Sequence, residues 1–289
     1  MTAEIISGTE IAKAVKADVA IRVEACKAEG VRPKLAALLV DFFEPSKIYV
    51  AAKERACEEV GMLSERVDLP GDVSREDYFA EIERLNGDET VHGYIAQLPV
   101  PDHLNPELDI QSAMDPRKDV DCLHPYNVGL MARGEALFLP ATPYGIVEML
   151  KRAGISTQGA EVCVVGRGGL VGLPLSIMLA QKSDYGNATV TIVHTGTKDI
   201  AAHTREADIL VAAVGRPGTI TADMVKPGAV VIDVAVNRTD DGLVGDVQFD
   251  EVKEVAGAIT PVPGGVGPMT VAMLMVNTVA AAEVAAAIR

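Results

Sequence analysis

The chain has 289 residues, 48% of them hydrophobic and 4% aromatic, a length and an aliphatic balance that suit two α/β domains of ordinary size. A formal charge of −15 argues against a phosphate-backbone partner, because nucleic-acid binders present a basic face. The cysteines Cys26, Cys57, Cys122 and Cys163 lie far apart with no CxxC pair, so neither a thiolate metal site nor a disulfide framework is indicated, and reduced thiols in the cytoplasm are expected.

The opening MTAEIISGTE lacks the basic start and apolar run of a signal peptide. Helix-like stretches at Glu10 to Glu29, Ser46 to Val60, Arg75 to Asn86 and Pro106 to Met114 alternate with strand-like runs at Leu35 to Val40, Arg66 to Leu69 and Val91 to Leu98. Alternation of this kind predicts a parallel α/β layer. On the second helix Tyr49 and Lys53 stand four apart, hence on one face. A lysine beside a phenol and shielded from water can exchange protons with a substrate, although on spacing alone a solvated helix face is the more ordinary reading. Gln97 ends a strand and is followed by Leu98-Pro99-Val100-Pro101, which aims its amide out of the sheet. The run KDVDCLHPYNVG, residues 118–129, reads as a polar loop. Within it Asp121 either accepts paired hydrogen bonds from an amino-heterocycle or caps a turn.

In LPATPYGIVEML, Thr142 is expected to N-cap a helix with Pro143 at its first position and Gly154 at its end. The domain boundary is placed there, giving domains 1–141 and 142–269. A terminal helix, 270–289, is expected to pack back on the first domain, since Asn277, Glu283 and Arg289 interrupt its apolar run and argue against a membrane span.

The second half opens with EVCVVGRGGLVGLPLSIMLA: a buried strand, Glu161 to Val165, a glycine turn, and a helix from near Pro174. Gly166, Gly168 and Gly172 are spaced GxGxxxG, and Val171 occupies the third glycine position of the common dinucleotide fingerprint. Strands recurring at Ala188 to Val193, Ile209 to Val214, Ala229 to Val234 and Ala258 to Thr260 make this a Rossmann-type domain. Its second strand ends in His194, Thr195 and Thr197 with no carboxylate to repel a phosphate. Arg167 is placed to reach a 2′-phosphate, with Thr195 supplying a hydroxyl, which favours NADP over NAD; a solvated loop arginine is the alternative. The run PVPGGVGPMT, residues 261–270, has six Gly or Pro in ten positions and is expected to be neither helix nor strand. It reads as a shaped loop holding main chain against a ligand, or as a rigid turn with none.

Taken in order, SKIYVAAK, YIAQLPVP, KDVDCLHPYNVG, LPATP, VVGRGGLVGLP, DVAVN, GDV and PVPGGVGPMT resemble the methylenetetrahydrofolate dehydrogenase/cyclohydrolase family over nearly the whole chain. The resemblance implies a homodimer whose subunits have two α/β domains flanking a cleft, with a small-molecule folate on the first and NADP, less often NAD, on the second. It implies oxidation of 5,10-methylenetetrahydrofolate to the 5,10-methenyl cation and hydrolysis of that cation to 10-formyltetrahydrofolate, in cytoplasmic one-carbon metabolism. It places the catalytic residues at Lys53, Tyr49, Gln97 and Asp121. The folate would be met by Tyr49, Gln97, Leu98, Pro99, Asp121, Pro263, Gly264 and Gly265. The dinucleotide would be met by Gly166, Arg167, Gly168, Val171, Gly172, His194, Thr195, Val214, Gly215 and Val236. No metal, nucleic acid or membrane is implied.

The chain departs from the family pattern in places. Val40-Asp41-Phe42-Phe43-Glu44-Pro45-Ser46 replaces a glycine-containing loop, Arg55 a common lysine, Cys122 a glycine and Ala141 a frequent cysteine. Gly168 replaces a serine, Gly196 a basic residue and Ala235 a glycine. Two other readings follow: a dehydrogenase with impaired hydrolysis, and a folate- or nucleotide-binding paralogue without turnover. A different two-domain dehydrogenase lacks support, since no His-carboxylate pair accompanies the glycine turn.

Overall fold

The computed structural model describes residues 2–240 and 242–287, so the last two positions of the expected terminal helix, 288 and 289, lie outside the described residues. In chain order the elements begin with β1 (Glu4–Ile5), α1 (Gly8–Ala28), β2 (Lys34–Asp41), α2 (Glu44–Glu59), β3 (Leu63–Pro70), α3 (Arg75–Gly87) and β4 (Gly93–Ala96). They continue with α4 (Glu107–Ala113), α5 (Pro125–Arg133), α6 (Ala141–Arg152), β5 (Glu161–Val165), α7 (Gly172–Ala180), β6 (Thr189–Val193), α8 (Ile200–Thr204) and β7 (Ile209–Ala212). The last are β8 (Val230–Asp233), β9 (Asn237–Thr239), β10 (Gly242–Val244), α9 (Phe249–Val252), β11 (Ala258–Ile259) and α10 (Val266–Ala285).

Two units result, one of Lys13–Ala141 with Val271–Arg289 and one of Met1–Ala12 with Thr142–Thr270. The expected first domain, 1–141, therefore gives up its first residues. The reason is β1, whose Glu4 and Ile5 pair in parallel with Ala258 and Ile259 of β11. A two-residue strand has no periodicity to read, and only its partner reveals it.

The first unit holds a three-stranded parallel sheet, order β3-β2-β4. Central β2 is buried over Leu35 to Val40, and that unbroken apolar run marks a strand covered on both faces. Its core gathers Leu38, Val40, Tyr78, Ile82, Leu85, Tyr94, Leu104 and Ile110. Residues 118–129 are not all loop: His124 N-caps α5 through Nδ1, which accepts from Tyr126 N at 3.0 Å, Pro125 takes a first-turn position, and Gly134 ends the helix at φ 74°.

The second unit holds a six-stranded sheet, order β1-β11-β8-β7-β5-β6, parallel throughout. Val165, Leu210, Ala212, Val231 and Ile259 lie at its centre. Thr142 does not cap α6. The helix already begins at Ala141, and the Thr142 hydroxyl lies 2.9 Å from that of Thr270.

Nor is 261–270 all loop, because α10 starts at Val266. Pro268 falls in its first turn, where the missing N–H has no intrahelical partner to lose. By length and composition α10 could cross a membrane, yet 56% of its apolar window is buried inside the protein. Its later turns pack on the first unit: Asn277 Nδ2 donates to Val120 O (2.7 Å) and Leu139 O (2.8 Å), and Glu283 takes a two-pronged ion pair from Arg22 of α1 (2.7 and 2.6 Å).

Candidate functional site

Two constellations stand out, one in each unit. In the six-stranded sheet the chain steps from β5 outward to β6 and then returns to β7 on the other side of β5. This reversal is the switch point where open α/β sheets take ligands. Gly166, just past β5, has φ +116°, and a Cβ there would stand 2.2 Å from Ala213 O. Gly172 opens α7 so close to the turn that a Cβ would lie 2.3 Å from Gly166 O. The close-packing glycine has thus moved one residue on, and Val171 serves as N-cap.

Gly168 and Gly169 have nothing within 4 Å of where a Cβ would be. They line a pocket of about 530 Å³ with Leu170, Val171, Gly172, Ala213, Gly215, Val234, Ala235, Val266, Gly267, Thr142 and Thr270. Of the expected dinucleotide contacts, Gly168, Val171, Gly172 and Gly215 line this pocket. Gly166 shapes the turn behind it, and Arg167 is solvent-exposed. Val214 and Val236, 37% and 42% exposed, adjoin lining residues. His194 and Thr195 sit in a tight turn beyond β6, where His194 N donates to Thr197 Oγ1 (3.0 Å) and Gly196 N to His194 Nδ1 (3.0 Å).

Sequence reasoning missed Thr142 and Thr270 as lining residues; an N-cap signal concealed the first, and the Gly/Pro content of its run concealed the second. A glycine cradle with open space above it, at a switch point and at the N-terminus of α7, suits the pyrophosphate of a dinucleotide.

The loop before α10 is fixed by close backbone approach. Gly264 has φ +100°, its carbonyl accepts from Thr9 N at 3.0 Å, and a Cβ on Gly8 would stand 1.8 Å from Gly265 O. Pro263, Gly264 and Gly265 belong to this unit, whereas the other expected folate contacts belong to the first.

In the first unit Lys53, Gln97 and Asp121 come together at the carboxyl ends of β2 and β4. Gln97 N donates to Leu38 O (2.9 Å), which prolongs the pairing of β4 with β2. Its side chain is then held from both sides, Oε1 accepting from Lys53 Nζ at 2.7 Å and Nε2 donating to Leu98 O at 2.7 Å. Tyr49 lies one turn before Lys53 and is 53% exposed.

Asp119 rather than Asp121 does the turn capping. Fully buried, it accepts from Leu123 N (3.1 Å), His124 N (2.8 Å) and Asn127 Nδ2 (2.8 Å). The capping leaves Asp121 free for other work, and among the described residues its carboxylate makes no hydrogen bond. Burial pushes the Asp121 carboxyl up to about 6 against the opposing pull of Lys53. Burial likewise lowers the Lys53 ammonium, with Asp121 resisting. A lysine whose proton is loosened, aimed by an amide and faced by a carboxyl, can move a proton to or from a bound substrate.

Some departures from the family pattern have visible consequences. Cys122 is held at φ +57°, with Sγ donating to Phe138 O at 3.3 Å. Phe42 and Phe43 stay 44% and 42% exposed, and Lys47 ties the loop by ion pairs to Asp41 (2.7 Å) and Glu44 (3.1 Å). Among the described residues no group of three His, Cys, Asp or Glu is placed to hold a metal ion.

A Rossmann-type unit with a glycine cradle, joined to an α/β unit carrying a half-buried Lys-Gln-Asp constellation, defines a two-domain dehydrogenase with a dinucleotide-binding domain. Comparison with known proteins gives the family. The chain matches the tetrahydrofolate dehydrogenase/cyclohydrolase catalytic domain over residues 6–121 and the NAD(P)-binding domain of the same family over 140–286. It is 51% identical over 284 residues to the bifunctional protein FolD of Bordetella avium, covering 98% of each chain. Among solved structures it resembles the bifunctional FolD of Campylobacter jejuni (TM-score 0.93, 40% identity, 97% and 99% of the two chains). It also resembles the Trypanosoma brucei methylenetetrahydrofolate dehydrogenase-cyclohydrolase complexed with NADP cofactor and inhibitor (0.92, 37%, 99% of each). The chain belongs to the tetrahydrofolate dehydrogenase/cyclohydrolase family.

Proposed function

We propose that this protein is a bifunctional enzyme of one-carbon metabolism that oxidises 5,10-methylenetetrahydrofolate with NADP and hydrolyses the methenyl product to 10-formyltetrahydrofolate. The observation that carries the reading is the Lys53 Nζ to Gln97 Oε1 hydrogen bond beside Asp121, in a chain that also has the glycine cradle. NADP, when bound, supplies the hydride-accepting ring. Gly168, Val171, Gly172 and Gly215 are assigned to holding it, with Arg167 and Thr195 reading its 2′-phosphate. The folate is assigned to the first unit, with Asp121 accepting from the pterin amino group and Tyr49, Leu98 and Pro99 beside it; Pro263, Gly264 and Gly265 are assigned to the same substrate.

Hydride loss from the methylene carbon is pushed by the folate nitrogen lone pairs and mainly needs the donor held in line. Attack of water on the amidinium carbon needs proton transfer, and this role is assigned to Lys53. Gln97 aims its amine, and burial loosens the ammonium proton. The working form is proposed to be a cytoplasmic homodimer, on the resemblance to the family and on the four free thiols.

The test is a paired assay with 5,10-methylenetetrahydrofolate and NADP, then NAD, following nicotinamide reduction and methenyl absorbance together, with methenyl hydrolysis measured directly. Lys53→Ala is expected to abolish hydrolysis and to slow nicotinamide reduction less. Unchanged hydrolysis removes Lys53 from the mechanism. Methenyl build-up in the parent protein makes it a dehydrogenase alone, and no reduction with either dinucleotide overturns the enzyme reading.

A further inference from the structure

Two short motifs, DVAVN and GDV, lie outside the roles assigned above, and the structure joins them. Asp233, at the end of β8, is buried, and its Oδ1 and Oδ2 accept from Asp246 N (2.9 Å) and Val247 N (3.0 Å). Gly245 has to be glycine here, since a Cβ would stand 1.8 Å from Asp233 Oδ2. Asp246, thus gripped by its main chain, is itself fully buried. Its Oδ2 accepts from Val214 N (2.6 Å) and Gly215 N (2.9 Å), and its Oδ1 from Arg216 N (2.6 Å) and Asn237 Nδ2 (3.0 Å). Its carbonyl accepts from Ile220 N at 3.0 Å, so one residue fastens both ends of the segment that follows β7.

Three successive main-chain N–H groups converging on one anion form a nest. Gly215, at φ +73°, supplies the left-handed turn that the nest needs. In many nucleotide sites such a nest takes a phosphate. Here the protein's own carboxylate fills it, so the N–H groups of Val214, Gly215 and Arg216 are committed inward. What the segment offers the 530 Å³ pocket is the surface of Ala213 and Gly215.

We propose that Asp246 is a positioning residue for the dinucleotide, which it does not touch: its carboxylate curls residues 214–216 into the shape that makes one wall of the cofactor pocket. This rests on the reading of that pocket as the NADP site. An amide at 246 keeps the size of the carboxylate but turns a donor toward one of the two pairs of N–H groups, so the segment must open on that side. Lys53, Gln97 and Asp121, the residues to which hydrolysis is assigned, lie in the other unit and are built without Asp246.

The experiment compares parent, Asp246→Asn and Asn237→Ala proteins. NADP binding is measured by calorimetric titration without folate, together with kcat and KM for NADP in the oxidation and the rate of methenyl hydrolysis. Asp246→Asn is expected to raise the Kd and KM for NADP about tenfold or more, with kcat lowered less and hydrolysis within about twofold of the parent. Asn237→Ala, which removes one hydrogen bond and leaves the carboxylate, is expected to shift both constants the same way by about threefold. The proposal is overturned if the NADP Kd of Asp246→Asn stays within about twofold of the parent, or if hydrolysis falls in parallel with NADP binding. Should Asp246→Asn not fold, Asn237→Ala decides alone, and an unchanged Kd there overturns the proposal. A parent protein that binds no NADP in the same titration refutes the site reading itself, a result distinct from either.

Discussion

Replacing Gly166 by alanine tests whether the turn after β5 is held as tightly as its geometry implies. The added Cβ would stand 2.2 Å from Ala213 O and 2.9 Å from its carbonyl carbon, inside the 3.0 Å that real Cβ atoms keep. Neither side can give freely. Gly166 N donates to Val193 O at 2.8 Å and Ala213 N to Val165 O at 2.9 Å, so relief of the clash stretches two sheet hydrogen bonds worth about 1 kcal/mol each. A non-glycine residue at φ +116° adds about 1–3 kcal/mol of backbone strain. The sum is roughly 3–5 kcal/mol, a large part of the ~5–15 kcal/mol that holds a typical domain. The control is Gly168→Ala, two residues on, where nothing lies within 4 Å and φ is outside the left-handed range; it should be neutral or stabilising by up to about 1 kcal/mol. Urea unfolding of the two variants, followed by circular dichroism, gives the comparison. A Gly166→Ala protein with a parental midpoint and slope would show that the turn is not locked, and the argument from close approach would fail.

Three further outcomes are expected. Arg167→Ala raises the KM for NADP far more than that for NAD, and equal effects on both mean that Arg167 does not read the 2′-phosphate. Because burial raises the Asp121 carboxyl to about 6, above its unfolded value of about 3.9, the folded state holds that proton more tightly, and the stability the group contributes is full below about pH 4 and lost as pH rises through about 6. Asp121→Asn should therefore flatten the fall in stability over that window while it weakens folate binding, and an unchanged pH profile of thermal unfolding would contradict the shift. Cys122→Gly should leave stability within about 1 kcal/mol of the parent, since relief at φ +57° offsets the loss of a buried thiol, whereas Cys122→Val should cost more than about 2 kcal/mol by forcing a β-branched residue into the left-handed region; equal midpoints for the two would refute the strain argument.

The elements most legible in the sequence were those whose burial leaves an apolar signature. Expected Leu35 to Val40 lies within observed β2, and expected Glu161 to Val165 is observed β5, because strands covered on both faces read as unbroken aliphatic runs. What escaped depends on partners distant in sequence. β1 is visible only against β11, the start of α10 at Val266 was hidden by glycine and proline that a first turn tolerates, and α5 was hidden in a polar segment whose His124 turns out to be its cap. The roles of Asp119 and Asp121 could not be divided from the string KDVD, since either carboxylate can cap a turn. Only the contacts of Asp119 with Leu123, His124 and Asn127 show which one does, and so which one is left for chemistry.

The two constellations differ in the material they are made from, and this decides which departures from the family pattern matter. The cradle in the six-stranded unit is built of main chain, so a change there counts only where a Cβ has no room or φ is positive. Glycine for serine at 168 meets open space and is expected to leave the turn's fold unchanged, and Val171 is admitted because Gly172 has taken over the close contact with Gly166. The Lys53, Gln97 and Asp121 constellation is built of side chains, and shielding from water shifts the protonation of Lys53 and Asp121, so it is sensitive to neighbours that alter shielding or hold the segment off its course. Cys122 adjoins Asp121 and fixes it with a strained backbone, and Phe42 and Phe43 precede α2, the helix that carries Lys53. By this reasoning the departures at 42, 43 and 122 bear on hydrolysis, whereas those in the glycine turn leave its backbone course unchanged and bear only on what the pocket presents to the dinucleotide.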